Sequence, residues 1–86
     1  MVEGEKKLIG KVVNYFTNIS VAIVELNDSL AIGERISIEG ETTNIQQSVE
    51  SIQIEHKAIE KANSGDSIGL KTNGRCRKSD NVFKIR

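Results

Sequence analysis

Apolar and polar residues alternate in short runs along this chain, with the period of a strand rather than a helix. The clearest run is Arg35-Ile36-Ser37-Ile38-Glu39, with both isoleucines on one side and the charges on the other. Residues 67–72 repeat the arrangement with Ile68 and Leu70 inward. Strands are also expected over 8–16, 19–26, 45–55 and 82–85. Thr17-Asn18 is a short polar link between the first two, which predicts an antiparallel hairpin. Asn27-Asp28-Ser29 and Asn73-Gly74 carry turn chemistry. The charged segment 56–64 has no clear period, and one helical turn is expected there.

The long strand over 45–55 breaks parity. Ile45 and Val49 are odd-numbered, Ile52 and Ile54 even-numbered. A period of two puts all four on one face only with an extra residue, which predicts a β-bulge near Glu50 and Ser51. A second pattern recurs. Gly33-Glu34-Arg35-Ile36-Ser37-Ile38 is echoed by Gly65-Asp66-Ser67-Ile68-Gly69-Leu70, and more weakly by Ser79-Asp80-Asn81-Val82-Phe83. Each reads as a tight turn, an acidic residue and an alternating strand, with the glycine where φ must be positive.

Composition strengthens the strand reading. There are 12 Ile, 7 Val and 4 Thr against 4 Leu, and β-branched side chains fit a pleated surface better than a helix. Proline is absent, so no ladder position is forbidden. The 86 residues are expected to form one domain over 1–86, with 1–7 flexible. Six or seven short strands in that length predict an all-β fold, a small closed antiparallel barrel of Greek-key type that leaves no exposed edges.

The turns also carry a resemblance. Leu30-Ala31-Ile32-Gly33-Glu34-Arg35-Ile36, Ala62-Asn63-Ser64-Gly65-Asp66-Ser67-Ile68-Gly69 and Lys78-Ser79-Asp80 resemble, in that order, the turns of the elongation factor Tu domain 2 barrel of the translational GTPases. The third departs from that pattern at its glycine. The chain is also similar to the C-terminal barrel of collagenase-like peptidase family proteins, some of which act in tRNA modification. The first resemblance implies a free-standing translation-factor-like barrel. It implies no GTP chemistry. Gly4 and Gly10 are separated by five residues where a P-loop needs four, and Val12 stands where the Mg²⁺-binding Ser or Thr belongs. The family's tRNA-contacting glutamate falls at Gln53, which keeps hydrogen-bonding capacity without the charge.

Charge adds a candidate surface. The chain is neutral overall, with 12 basic and 12 acidic residues, but 71–86 carry a net +5 and 1–70 a net −5. Lys71, Arg75, Arg77 and Lys78 make a basic segment able to contact phosphates, joined by Lys6, Lys7 and Lys11 if the first and last strands are neighbours. With Gln53, His56 and Lys57 leaving the long strand, these residues are the expected RNA- or partner-binding set. His56 has no partner suggesting general-base chemistry, and one His with one Cys makes no zinc site. Tyr15 and Phe16 must face opposite sides of a strand, one toward the core and one free to stack on a partner. Cys76 lies among Arg75, Arg77 and Lys78, which favours a thiolate if it is exposed. Gly69 within a strand permits close approach of another backbone or, equally, relieves crowding in a small barrel.

The expectation is a non-enzymatic binding module contacting tRNA or the ribosome, without metal or cofactor, monomeric and off the membrane. A single cysteine allows no internal disulfide, and the charged start shows no leader-like apolar stretch, so the expected compartment is cytoplasmic. The alternative is a protein-interaction or substrate-presenting accessory module for a partner enzyme of the collagenase-like peptidase or tRNA-modification type.

Overall fold

A computed structural model describes residues 6–85. Its strands are β1 (Lys6–Phe16), β2 (Val21–Leu26), β3 (Leu30–Ala31), β4 (Arg35–Glu39), β5 (Asn44–Ser48), β6 (Ile52–Ile54), β7 (Lys57–Ile59), β8 (Lys61–Ala62), β9 (Ser67–Lys71) and β10 (Asn81–Ile85). All pairings are antiparallel. No described residue is helical, so the chain is all-β as its alternation requires. Of 1–7, expected to be flexible, residues 1–5 lie outside the described residues and Lys6 and Lys7 open β1. Arg86, counted in the basic segment, also lies outside.

Eight strands form one sheet in the order β5-β4-β10-β1-β2-β9-β6-β7, and β3 pairs with β8. The ladder does not close, because β5 and β7 are its ends. Yet β5 and β6 are successive, and three residues carry the chain from one side of the sheet to the other. Local bonds bridge that seam. The Gly33 N–H donates to the Val49 carbonyl (2.9 Å) and the Val49 N–H to the Glu34 carbonyl (2.8 Å). The Gln47 side chain donates to the Lys71 carbonyl (2.8 Å) and accepts from the Asn73 N–H (2.7 Å). The sheet is thus curled around one core, with side-chain and turn hydrogen bonds where a barrel ladder was expected.

The same seam corrects the reading of 45–55. The parity change is a strand break at 49–51, not a bulge, and it leaves β5 on β4 and sends β6 to β9. Bulge-like register shifts occur in β1 instead, between Leu8 and Gly10 and between Val12 and Asn14. They let Ile9 and Val12, of opposite parity, both reach the core. The segment 56–64 holds β7 and β8 rather than a helical turn. Ile54 pairs with Lys57, leaving Glu55-His56 as a two-residue hairpin loop. Their φ values of 50° and 67° are those of a type I′ turn, normally signalled by Asn or Gly.

Inward residues pair in rows across the sheet. Ala22 and Ile52 both flank Leu70, Val24 faces Ile68, and Ile38 faces Val82. All are at most 1% exposed.

The three turns repeat in atomic detail. Glu34, Asp66 and Asp80 each accept, on the side-chain carboxylate, the N–H three residues back, from Ala31, Asn63 and Arg77, all at 2.8 Å. Each turn also pins to a strand through two backbone bonds. Gly33 and Glu34 bond Val49, Gly65 and Asp66 bond Leu26, and Ser79 and Asp80 bond Val12. The third turn position has φ of 96° at Gly33, 93° at Gly65 and 75° at Ser79. A serine there carries about 1–2 kcal/mol of left-handed strain. Ser79→Gly is expected to stabilise the protein by up to about 1 kcal/mol, after the extra chain entropy of glycine. Gly65→Ala, which meets nothing within 4 Å, is expected to lose about 1–2 kcal/mol from φ alone. Thermal unfolding of the pair tests both signs.

Candidate functional site

The sheet's two outer faces are built differently. Over β1, β10 and β4 a cluster of outward residues bond to one another, while Leu8 of β1 stays 46% exposed. The Lys6 ammonium donates to Glu39 (2.7 Å) and sits 5.4 Å from the Phe83 ring centroid, and the Ser37 hydroxyl donates to the same Glu39 oxygen (2.7 Å). Ser37 is thereby fully buried although it points away from the core. Lys6 first, then Ser37, hold the Glu39 carboxyl below its ordinary value of 4.5. A depressed folded pKa stabilises fully above the unfolded value, and that stabilisation is lost as pH falls through the folded one. Thermal midpoints are therefore expected to fall below about pH 4.5, less steeply in Glu39→Gln.

Over β2, β9 and β6 no such cluster forms. The outward row there is Ile23, Gly69 and Gln53, paired in register. Val21 lies beside it, and Phe16 at the end of β1 and Ile19 in the β1–β2 turn add to it, 44% and 58% exposed. Glu55, His56 and Ser67 complete the rim of a groove of about 340 Å³. Gly69 lies within its floor. Backbone strain also concentrates on this rim, because Glu55 and His56 both hold positive φ without being glycine, and such outliers gather at binding sites.

The expected site residues divide. Gln53 and His56 line the groove, while Lys57 is on the neighbouring β7. Lys71 pairs with Val21 and borders it. Arg75, Arg77 and Lys78 are exposed in the β9–β10 loop and are not among its lining residues. The first and last strands are neighbours, as the enlarged basic patch required. However, Lys6 is paired with Glu39, Lys7 with Asp28 at 2.6 Å and Lys84 with Glu34 at 3.4 Å, which locally neutralises much of that patch.

Tyr15 and Phe16 separate as expected. Tyr15 packs against the core with its hydroxyl donating to the Gly74 carbonyl (3.3 Å), and Phe16 faces the groove. Cys76 is 2% exposed, and burial pushes its thiol above the ordinary value of 9.0. The exposure on which a thiolate was conditional is not met, because the neighbouring cationic residues are exposed while Cys76 is buried. Maleimide labelling at neutral pH is expected only after denaturation. Among the described residues no group of three His, Cys, Asp or Glu is placed to hold a metal, and no helix is long and apolar enough to cross a membrane.

The sequence reading missed Phe16 as part of a groove, together with Ile19, Val21 and Ile23. A signal was present. Val21-Ala22-Ile23-Val24 is apolar at both parities, which on an antiparallel strand means that both faces seek cover.

No family model matches the chain. It is 42% identical over 79 residues to an uncharacterised protease of Methanocaldococcus jannaschii, covering 91% of this chain and 19% of that protein. It is 37% identical over 83 residues to a collagenase of Porphyromonas gingivalis, covering 94% of this chain and 23% of that protein. The chain thus spans about a fifth of the length of the curated relatives it matches. Its fold matches the crystallised C-terminal domain of a candidate U32 peptidase of Geobacillus thermoleovorans, with a TM-score of 0.86, 19% identity and 93% of both chains covered. Of the two resemblances drawn from the sequence, these similarities support the peptidase one.

Proposed function

We propose that this domain is a non-catalytic accessory module of a U32 peptidase- or collagenase-like protein, and that it docks polypeptide in the groove over β2, β9 and β6. The observation that carries the reading is the contrast between the two outer faces. One carries a hydrogen-bonded polar cluster and exposes Leu8 and Val13 of β1 singly, and the other gathers Phe16, Ile19, Val21 and Ile23 in one groove beside a glycine. Exposed apolar clusters rimmed by polar groups mark interaction surfaces. The relatives' names add the class of partner, since a protease and a collagenase both handle polypeptide. Gln53 and His56 serve as polar contacts at the rim, and the buried, unpaired Cys76 suits a reducing compartment.

An amide chemical-shift titration of the ¹⁵N-labelled chain tests this, with gelatin and total tRNA as parallel ligands. Gelatin is expected to shift Val21, Ile23, Gln53 and Gly69. Shifts confined to Arg75, Arg77 and Lys78, produced by tRNA and removed by salt, overturn the proposal in favour of an RNA-contacting surface.

A further inference from the structure

Resting on that reading, we infer that Gly69 is the floor of a subsite for one apolar side chain of an extended polypeptide, flanked by charges that select an oppositely charged residue on either side. Gly69 is not explained by the fold. It is absent from the glycines with positive φ. A Cβ built on it meets Val21 Cγ1 at 3.4 Å and Gln53 at 3.8 and 3.9 Å, which is ordinary contact. It lies in the middle of β9, flanked by Ile23 and Gln53, where glycine weakens a strand relative to alanine. An alanine methyl would fit and is expected to stabilise, so the open space itself is the feature to explain. What it offers is a depression beside Ile23 and Val21 of a size suited to a side chain.

The charges around it are ordered along the strand. Outward residues on β9 are Ser67, Gly69 and Lys71, and their partners on β2 are Glu25, Ile23 and Val21. By that register Glu25, which faces Lys11 of β1 on its other side, stands just beyond one end of the groove next to Glu55 of the rim, and Lys71 just beyond the other, neither being among the lining residues. Two residues along a strand span about 6.7 Å. An extended peptide laid along β9 has the same repeat, so a residue over Gly69 places its second neighbours over Glu25 and Lys71. The complementary ligand has a cation two positions to one side of an apolar residue and an anion two positions to the other.

The probes are the capped peptides Lys-Ser-Leu-Ser-Glu and its reverse, Glu-Ser-Leu-Ser-Lys, titrated into the ¹⁵N-labelled 86-residue chain. The expected result is saturable shifts at Val21, Ile23, Gln53, Gly69 and Lys71 with at least one of them. Replacing the peptide leucine by glycine is expected to weaken binding at least ten-fold, the worth of burying one such side chain. A peptide with lysine at both ends is expected to bind more weakly than the better of the two. Gly69→Leu fills the floor and is expected to abolish the shifts. Gly69→Ala is expected to raise the unfolding midpoint by about 2–8 °C. Equal binding of the leucine and glycine peptides overturns the inference without depending on any variant's folding, as does a Gly69→Ala chain that is less stable than the parent. If gelatin shifts the groove while the peptide series is flat, the subsite falls and polypeptide docking stands. If gelatin also leaves the groove unshifted, the docking reading falls as well.

Discussion

Leu70→Ala is expected to lower the thermal midpoint by about 12–24 °C, from a loss of about 3 kcal/mol. Leu70 is fully buried and lies on a core-facing row where three strands meet, between Ala22 of β2 and Ile52 of β6. Ala22 is already small, so the cavity left by the truncated leucine has little side chain beside it to collapse inward, and cavities that stay open cost most. Backbone ladders on both sides of β9 further hold the walls apart. For a chain of this length total stability is about 4–13 kcal/mol, so this single change removes a large share. Urea unfolding is expected to show a lower midpoint with an unchanged slope, since the surface exposed on unfolding barely changes. A loss under about 1 kcal/mol would mean that the seam between β5 and β9 is loose enough to close over the gap.

The tightness of that seam is also where sequence and structure part company. The strands β4, β9 and β10 were legible because each follows a turn with a glycine or serine, an acidic residue and clean alternation, and all three turns form the same bonds. Their signal is local, carried within about eight residues. The seam is not local. Parity showed that something happens between Val49 and Ile52, but a bulge and a break satisfy parity equally well. The choice rests on β9 being free to accept β6, a pairing between residues 16 and 18 positions apart. The Glu55-His56 turn was hidden for a different reason. A two-residue I′ loop normally shows itself by Asn or Gly, and here two charged or ionisable residues hold positive φ instead.

The candidate site was partly legible for the same reasons. Gln53 and His56 stand out in the sequence because they leave a strand as polar residues, and both line the groove, whereas Gly69 reads there only as a strand glycine and not as a site residue. The basic residues of 71–78 were grouped with them by charge, yet charge along a chain says nothing about which side of a sheet each residue faces. Lys71 reaches the groove border through its pairing with Val21, while Arg75, Arg77 and Lys78 leave with the loop. The apolar wall is carried by β2, whose run Val21-Ala22-Ile23-Val24 is apolar at both parities.

Gly10 provides the counterpart to Gly69, and Gly10→Ala is expected to destabilise the protein by about 1–3 kcal/mol, or about 4–24 °C in the midpoint. Both glycines sit inside strands and both are flanked on two sides, Gly10 by Leu26 of β2 and Val82 of β10. Their surroundings differ. A Cβ on Gly10 would lie 2.7 Å from the Glu25 carbonyl oxygen and 2.9 Å from Val24 Cγ1. The first is backbone in a paired strand, so relief requires β1 and β2 to separate. That separation would strain the register shifts on either side of Gly10, which are what bring Ile9 and Val12 inward together. The alanine substitution is thus expected to act with opposite sign at the two positions, lowering stability at residue 10 and raising it at residue 69. Thermal unfolding of the two variants side by side checks this. The same sign at both positions would show that strand glycines in this fold are governed by backbone preference alone, and that the space above residue 69 carries no separate meaning.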